Sequence, residues 1–169
     1  MPELTLMCGQ NEYVRTSVTA QMYRRYTEVM EQNNGESAAD AFRFNGRILK
    51  DVFKVTDREL AKADVEEQLA AAKIIHFVMQ DVITKKFLDL NPEHPEQQEP
   101  SAFDEYDEEN GYNEIESRGS VWKVCRENLD RVVKLCIRSF NNSYTQCMES
   151  DIMSLLDYVS FEIATINEK

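Results

Sequence analysis

Apolar residues recur at helical spacing through most of this chain. The clearest case is Trp122, Cys125, Leu129, Val132, Val133, Cys136 and Phe140, a narrow stripe that predicts one amphipathic helix. Ser120 is its expected cap, and Asn141-Asn142 its expected end. A second stripe runs through Ile152, Leu155, Leu156, Val159, Ile163 and Ile166. Between the two, Ser143 and Gln146 have the spacing of a capping box, which starts a one-turn helix carrying Tyr144 and Met148. Ser150 or Asp151 then caps the last helix. The stretch "SYTQCMESDIMSLLDYV" is thus a stop and an immediate restart. It is expected to reverse the chain and set the two stripes face to face.

The first half carries a different pattern. Leu4, Leu6 and Cys8 alternate with polar residues, and "ELTLMCGQNEYVRTSV" reads as two short strands around Gly9-Gln10-Asn11. After Thr19, the residues Tyr23, Tyr26, Thr27 and Met30 fall at helical spacing, and Gly35 is the expected C-terminal cap. A second helical region carries Phe42, Leu49, Val52 and Phe53, with Asn45-Gly46 as a candidate interruption. Asp64 can cap a third helix, whose buried face is expected to run through Val65, Leu69, Ala72, His76, Met79 and Ile83. Residues 74–79, "IIHFVM", are apolar nearly all round and predict the most buried helix of this half.

Composition breaks sharply over residues 91–119. Three of the four prolines lie there, at Pro92, Pro95 and Pro100, with ten acidic residues against one arginine. Such a tract has too little apolar content to offset the entropy of ordering, so it reads as a flexible acidic linker. The expected organisation is a mostly helical segment 1–90, the linker 91–119 and a helical segment 120–169. The fold class is mainly α, with a short N-terminal β-hairpin. The linker carries −9 of the net −12, and that sign argues against a protein that grips nucleic acid through its phosphates. Its carboxylates lack the spacing of a calcium loop.

Candidate chemistry is sparse. There is no glycine-rich phosphate loop, nucleophile elbow or cluster of histidines and cysteines. Cys8, Cys125, Cys136 and Cys147 have no close pair, and the last three are spaced by eleven, which puts Cys125 and Cys136 on one helix face. They read as small apolar core residues of a reduced, cytoplasmic chain. His76 reads as a hydrogen-bonded core histidine rather than a ligand or base. The N-terminus has neither a basic start nor a long apolar run, so no signal peptide or membrane span is expected. No enzyme activity, cofactor or metal is expected.

"LDRVVKLCIRSFNNSYTQCMESDIMSLLDYV" resembles the C-terminal part of the phage tail assembly chaperones of long-tailed siphophages. In that family a helix ending in an aromatic is followed by a turn, an "SY-x-x-x-ME-x-D" corner and a Leu-rich helix. Here these are Phe140, Ser143, Tyr144, Met148, Glu149, Asp151 and "SLLDYV". The first half is similar to the other part of that system, with its strand pair, a buried helix through "HFVMQDVITKKFLDL" and Thr84 before "KKFLDL". The two-part layout resembles the longer, frameshifted product; the long acidic spacer departs from the family pattern.

The resemblance implies a non-enzymatic protein of the infected host cytoplasm, absent from the mature virion. Its implied partners are the tape-measure protein, which it keeps soluble, and the tail-tube protein, which it helps recruit. Self-association is a further expectation; nucleic acid and membrane are not expected partners. Candidate partner-binding residues are Phe103, Tyr106 and Tyr112 in the acidic tract, and Tyr144, Met148, Tyr158 and Phe161 at or off the edges of the C-terminal stripes. The alternative reading is an acidic adaptor or inhibitor of a host protein. It is weakened by the concentration of charge in a Pro-containing tract rather than along a rigid surface.

Overall fold

The structure, a computed structural model, describes residues 3–32, 37–89 and 112–167. The expected cap at Gly35 and residues 91–111 of the acidic tract lie outside the described residues. The fold is mainly α with one β-hairpin.

Strands β1 (Leu4–Cys8) and β2 (Asn11–Arg15) pair antiparallel, from Leu4 opposite Arg15 to Cys8 opposite Asn11. The two-residue turn has Gly9 at φ +68°, the left-handed position that favours glycine at the start of such hairpin turns. Leu4, Leu6 and Cys8 are buried, as their alternation predicts.

Helix α1 (Ala20–Glu31) starts at Thr19, whose side chain accepts a hydrogen bond from the Met22 amide at 3.2 Å. Helix α2 (Ala38–Phe53) runs without a break, so the expected interruption at Asn45-Gly46 does not occur. A mid-helix glycine costs about 1 kcal/mol relative to alanine. Here tertiary contact offsets it: Gly46 sits against Leu60, and Asn45 bonds His76. Lys54 ends the helix in the left-handed conformation at φ 58°.

A short helix that the periodicity did not predict follows, α3 (Asp57–Leu60). It begins with a full capping box between Thr56 and Glu59. The Glu59 carboxylate accepts from the Thr56 amide and hydroxyl, both at 2.7 Å, and from the Tyr13 hydroxyl at 2.8 Å. These bonds, the Thr56 amide first, hold its pKa down at about 2.

Helix α4 (Val65–Phe77) corrects two expectations. Its buried face is Gln68, Ala71, Ala72 and Ile75, so Val65 and Leu69 are exposed rather than internal. Nor is it buried all round, because Ile74 and Phe77 are exposed as well. Gln68 explains the rotation. Its amide donates to the carbonyls of Leu60 at 3.2 Å and Ala63 at 3.0 Å, satisfying the end of α3. The two alanines beside it leave room for β1 and α2, which pack on this face.

The helix then widens into a π-helical stretch over Val78–Thr84 and continues as α5 (Lys85–Asp89). The Thr84 hydroxyl donates to the Met79 carbonyl at 3.0 Å, five residues back. Val78, Met79, Ile83 and Phe87 remain buried through the change of pitch.

Helix α6 spans Tyr112–Phe140 and so begins eight residues before Ser120, the expected cap. Residues 112–119 contain no proline, and Glu114, Glu116 and Arg118 are good helix formers, so propensity continues the helix toward the N-terminus. Helices α7 (Tyr144–Glu149) and α8 (Ile152–Asn167) complete the chain. Cys125, Leu129, Val132, Val133 and Cys136 of α6 face Cys147, Met148, Ile152, Leu155, Leu156 and Val159 in the interior. The residues before and after the acidic tract share one continuous core, and α1 is the element on which α6 packs.

Candidate functional site

The corner at residues 141–151 is built from local hydrogen bonds. Asn141 takes φ 56°, a conformation asparagine tolerates, and its amide bonds the Ile137 carbonyl at 3.1 Å to close α6. Ser143 then caps α7. Its hydroxyl accepts from the Gln146 amide at 3.2 Å, and the Gln146 side chain accepts from the Ser143 amide at 2.8 Å. Of the two candidate caps for the last helix, Asp151 takes the role. Its carboxylate accepts from the amide and hydroxyl of Ser154 at 2.9 and 3.1 Å. Ser150 instead turns its hydroxyl back onto the Gln146 carbonyl at 2.7 Å.

The corner is also tied to the far end of the sequence. Thr19 and Asp151 form an isolated antiparallel bridge. The Ala20 amide donates to the Ser150 carbonyl at 3.1 Å, and the Ile152 amide donates to the Val18 carbonyl at 2.9 Å. The starts of α1 and α8 therefore lie side by side. Arg24, one turn into α1, donates to Asp130 of α6 at 2.6 Å and to the Tyr144 hydroxyl at 3.3 Å. One guanidinium thus links three helices.

Of the residues singled out in the sequence, Tyr144 is 51 % exposed at this corner and Phe161 is 65 % exposed on α8. Tyr158 is half-buried. Met148 is 3 % exposed, so it belongs to the core rather than to the edge of the stripe. The reason is the placement of the short α7, which turns Cys147 and Met148 inward and Tyr144 outward. Phe103 and Tyr106 lie outside the described residues. Tyr112 is the first residue of α6, and its side chain is not among those described.

A second polar constellation lies where α1, α2, α4 and the π-helical stretch meet. Gln80 donates to the Tyr26 hydroxyl at 2.9 Å. The phenol is then free to donate to His76 Nδ1 at 2.8 Å, which leaves the proton of a neutral imidazole on Nε2 for Asn45 Oδ1 at 3.1 Å. The chain of donors runs in one direction, from Gln80 to Asn45. Burial lowers the His76 pKa and raises that of Tyr26, so both groups stay neutral at pH 7. Tyr26 also meets the Trp122 ring edge-on, at 5.7 Å between centroids. Arg24, Asn45, Gln80 and Tyr26 carry no motif; each is an ordinary helical residue whose partner is distant in sequence.

Both ring nitrogens of His76 are occupied by these bonds, so a ligand would have to displace one. All four cysteines are free and buried, and burial raises the thiol pKa of Cys8 and Cys136, which disfavours the nucleophilic thiolate. Among the described residues no group of three or more histidine, cysteine, aspartate or glutamate side chains could hold a metal ion. No helix among them is long and apolar enough to cross a membrane. No protein-family model, curated protein or solved structure matches the chain.

Proposed function

We propose that this chain is a non-enzymatic tail assembly chaperone of a long-tailed phage. It binds the tape-measure protein, keeps that long helical chain soluble and helps recruit tail-tube subunits around it. It acts in the cytoplasm of the infected host and leaves before the virion is complete.

The observation that carries the reading is the corner. Phe140, Ser143, Tyr144, Met148, Glu149 and Asp151 are residues on which the resemblance to that family rests, and four of them have separate physical roles here. Ser143 and Asp151 start two helices, Met148 anchors the turn in the core, and Tyr144 stands at the surface. A fixed corner of this kind holds exposed aromatic rings on rigid helices, which lowers the entropy lost on docking a client. Tyr144 and Phe161 are the contacts assigned to the client.

Affinity capture by the full-length tagged chain tests this, with tape-measure fragments and tube protein from the same phage co-expressed. Capture of either, reduced in Tyr144→Ala/Phe161→Ala, is the expected result. Mass spectrometry of purified virions should find the chain absent. Failure to capture both proteins, or stoichiometric presence in virions, contradicts the proposal.

A further inference from the structure

Helix α4 has a second apolar side that the other described residues leave uncovered. A surface helix ordinarily carries one such side, turned to the core. On α4 that side is Ala71, Ala72 and Ile75, yet Leu69, Ile74 and Phe77 are also apolar and are 47 %, 39 % and 52 % exposed. Glu66, Ala70, Lys73 and Phe77 follow at spacings of four, three and four, which aligns them in one seam of the kind that packs against another helix. Leu69 and Ile74 flank the seam.

Its charges identify the occupant. Glu66 lies one turn before Ala70, and Lys73 lies just beyond it. Neither has a hydrogen-bond or ion-pair partner among the described residues. Two copies of α4 laid parallel would set glutamate against glutamate and lysine against lysine. Laid antiparallel, they set Glu66 of each copy beside Lys73 of the other, and the two-fold axis beside Ala70 brings Leu69 of one copy against Leu69 of the other. Ala70 near the midpoint lets the helix axes approach to the roughly 8–10 Å of ordinary helix packing. An antiparallel pair of identical helices is related by a two-fold axis, so the contact closes as a dimer rather than growing into a filament.

We propose that the outer face of α4 is a self-complementary interface that joins two copies of this chain in an antiparallel, two-fold dimer. The pairing is independent of the client contacts assigned to Tyr144 and Phe161, and it stands or falls separately from the chaperone reading.

Sedimentation equilibrium of the full-length chain tests it, with circular dichroism to check that each variant is folded. The wild type should show a monomer–dimer equilibrium, and Leu69→Asp, which sets two carboxylates against each other at the two-fold axis, should be monomeric. Glu66→Lys and Lys73→Glu should each weaken the dimer by about tenfold, because symmetry turns two attractions into two repulsions. An equal mixture of those two variants should then form a heterodimer tighter than either alone, since every opposed pair regains opposite sign. A wild type that is monomeric at all concentrations overturns the proposal and leaves the face to another part of the chain or to another protein. So does a dimer unaffected by Leu69→Asp, or a mixture no tighter than its components.

Discussion

His76 can take up a proton on Nδ1 only by giving up the hydrogen bond it receives from Tyr26. Burial holds its folded pKa below the ordinary 6.5, while the unfolded chain binds the proton with ordinary affinity. The unfolded state therefore binds more protons in the interval below 6.5. The His76 contribution is fully present above that value and is lost as pH falls through it toward the folded pKa. Thermal melts from about pH 7.5 down to about pH 6 should show falling stability in the wild type, and His76→Gln should flatten that slope. Equal slopes in both proteins would contradict the assignment. That His76 is a hydrogen-bonded residue was legible from the apolar residues around it, although the structure leaves it half-buried rather than in the core. Its partners were not, because Tyr26 and Asn45 precede it by 50 and 31 residues and only packing brings them near.

Helix ends were the most legible elements, since a cap and the amide it satisfies lie within three residues of each other. Ser143 acts as its spacing predicts, and Asp151 resolves the choice left open with Ser150, whereas Asp64 stands at the start of α4 without a side-chain cap bond. The box at Thr56 and Glu59 carried the same signal, but it opens a helix too short to show an apolar stripe. Helix faces were harder to read. On α4 the apolar residues nearly encircle the axis, so periodicity could not single out the inner side; the decision fell to Gln68 and its bonds to Leu60 and Ala63. Because both caps of the corner act through bonds to residues within three positions, Ser143→Ala and Asp151→Ala should each cost about 1 kcal/mol in chemical denaturation. The two costs should add only partly, since the same short turn carries both.

The assembly of the chain was legible in part: a hairpin, helices and a helical corner, but not the relation between the halves. Local patterning marks two folded stretches around an acidic tract and says nothing of their docking. In the structure they meet through Tyr26 against Trp122, Arg24 with Asp130, Arg126 with Glu31 and Lys86 with Asp157, and through main-chain bonds between residues 18–20 and 150–152. These ion pairs all keep one partner open to solvent and contribute little, about 0–1 kcal/mol each, so the shared core must hold the halves together. Leu129, fully buried on α6, is a direct probe: Leu129→Ala should cost about 2–5 kcal/mol and lower stability in one transition rather than melting the C-terminal helices alone. A rigid, jointly packed body is also what the proposed chaperone role requires, because aromatic contacts on a loose corner would lose affinity to ordering entropy. The most direct measurement is the partition of tape-measure protein between soluble and insoluble fractions when it is expressed alone and with this chain. The account predicts that the chain moves it into the soluble fraction as a co-purifying complex and that Tyr144→Ala/Phe161→Ala weakens the effect. A tape-measure protein that stays insoluble, or that becomes soluble without associating with the chain, would contradict it.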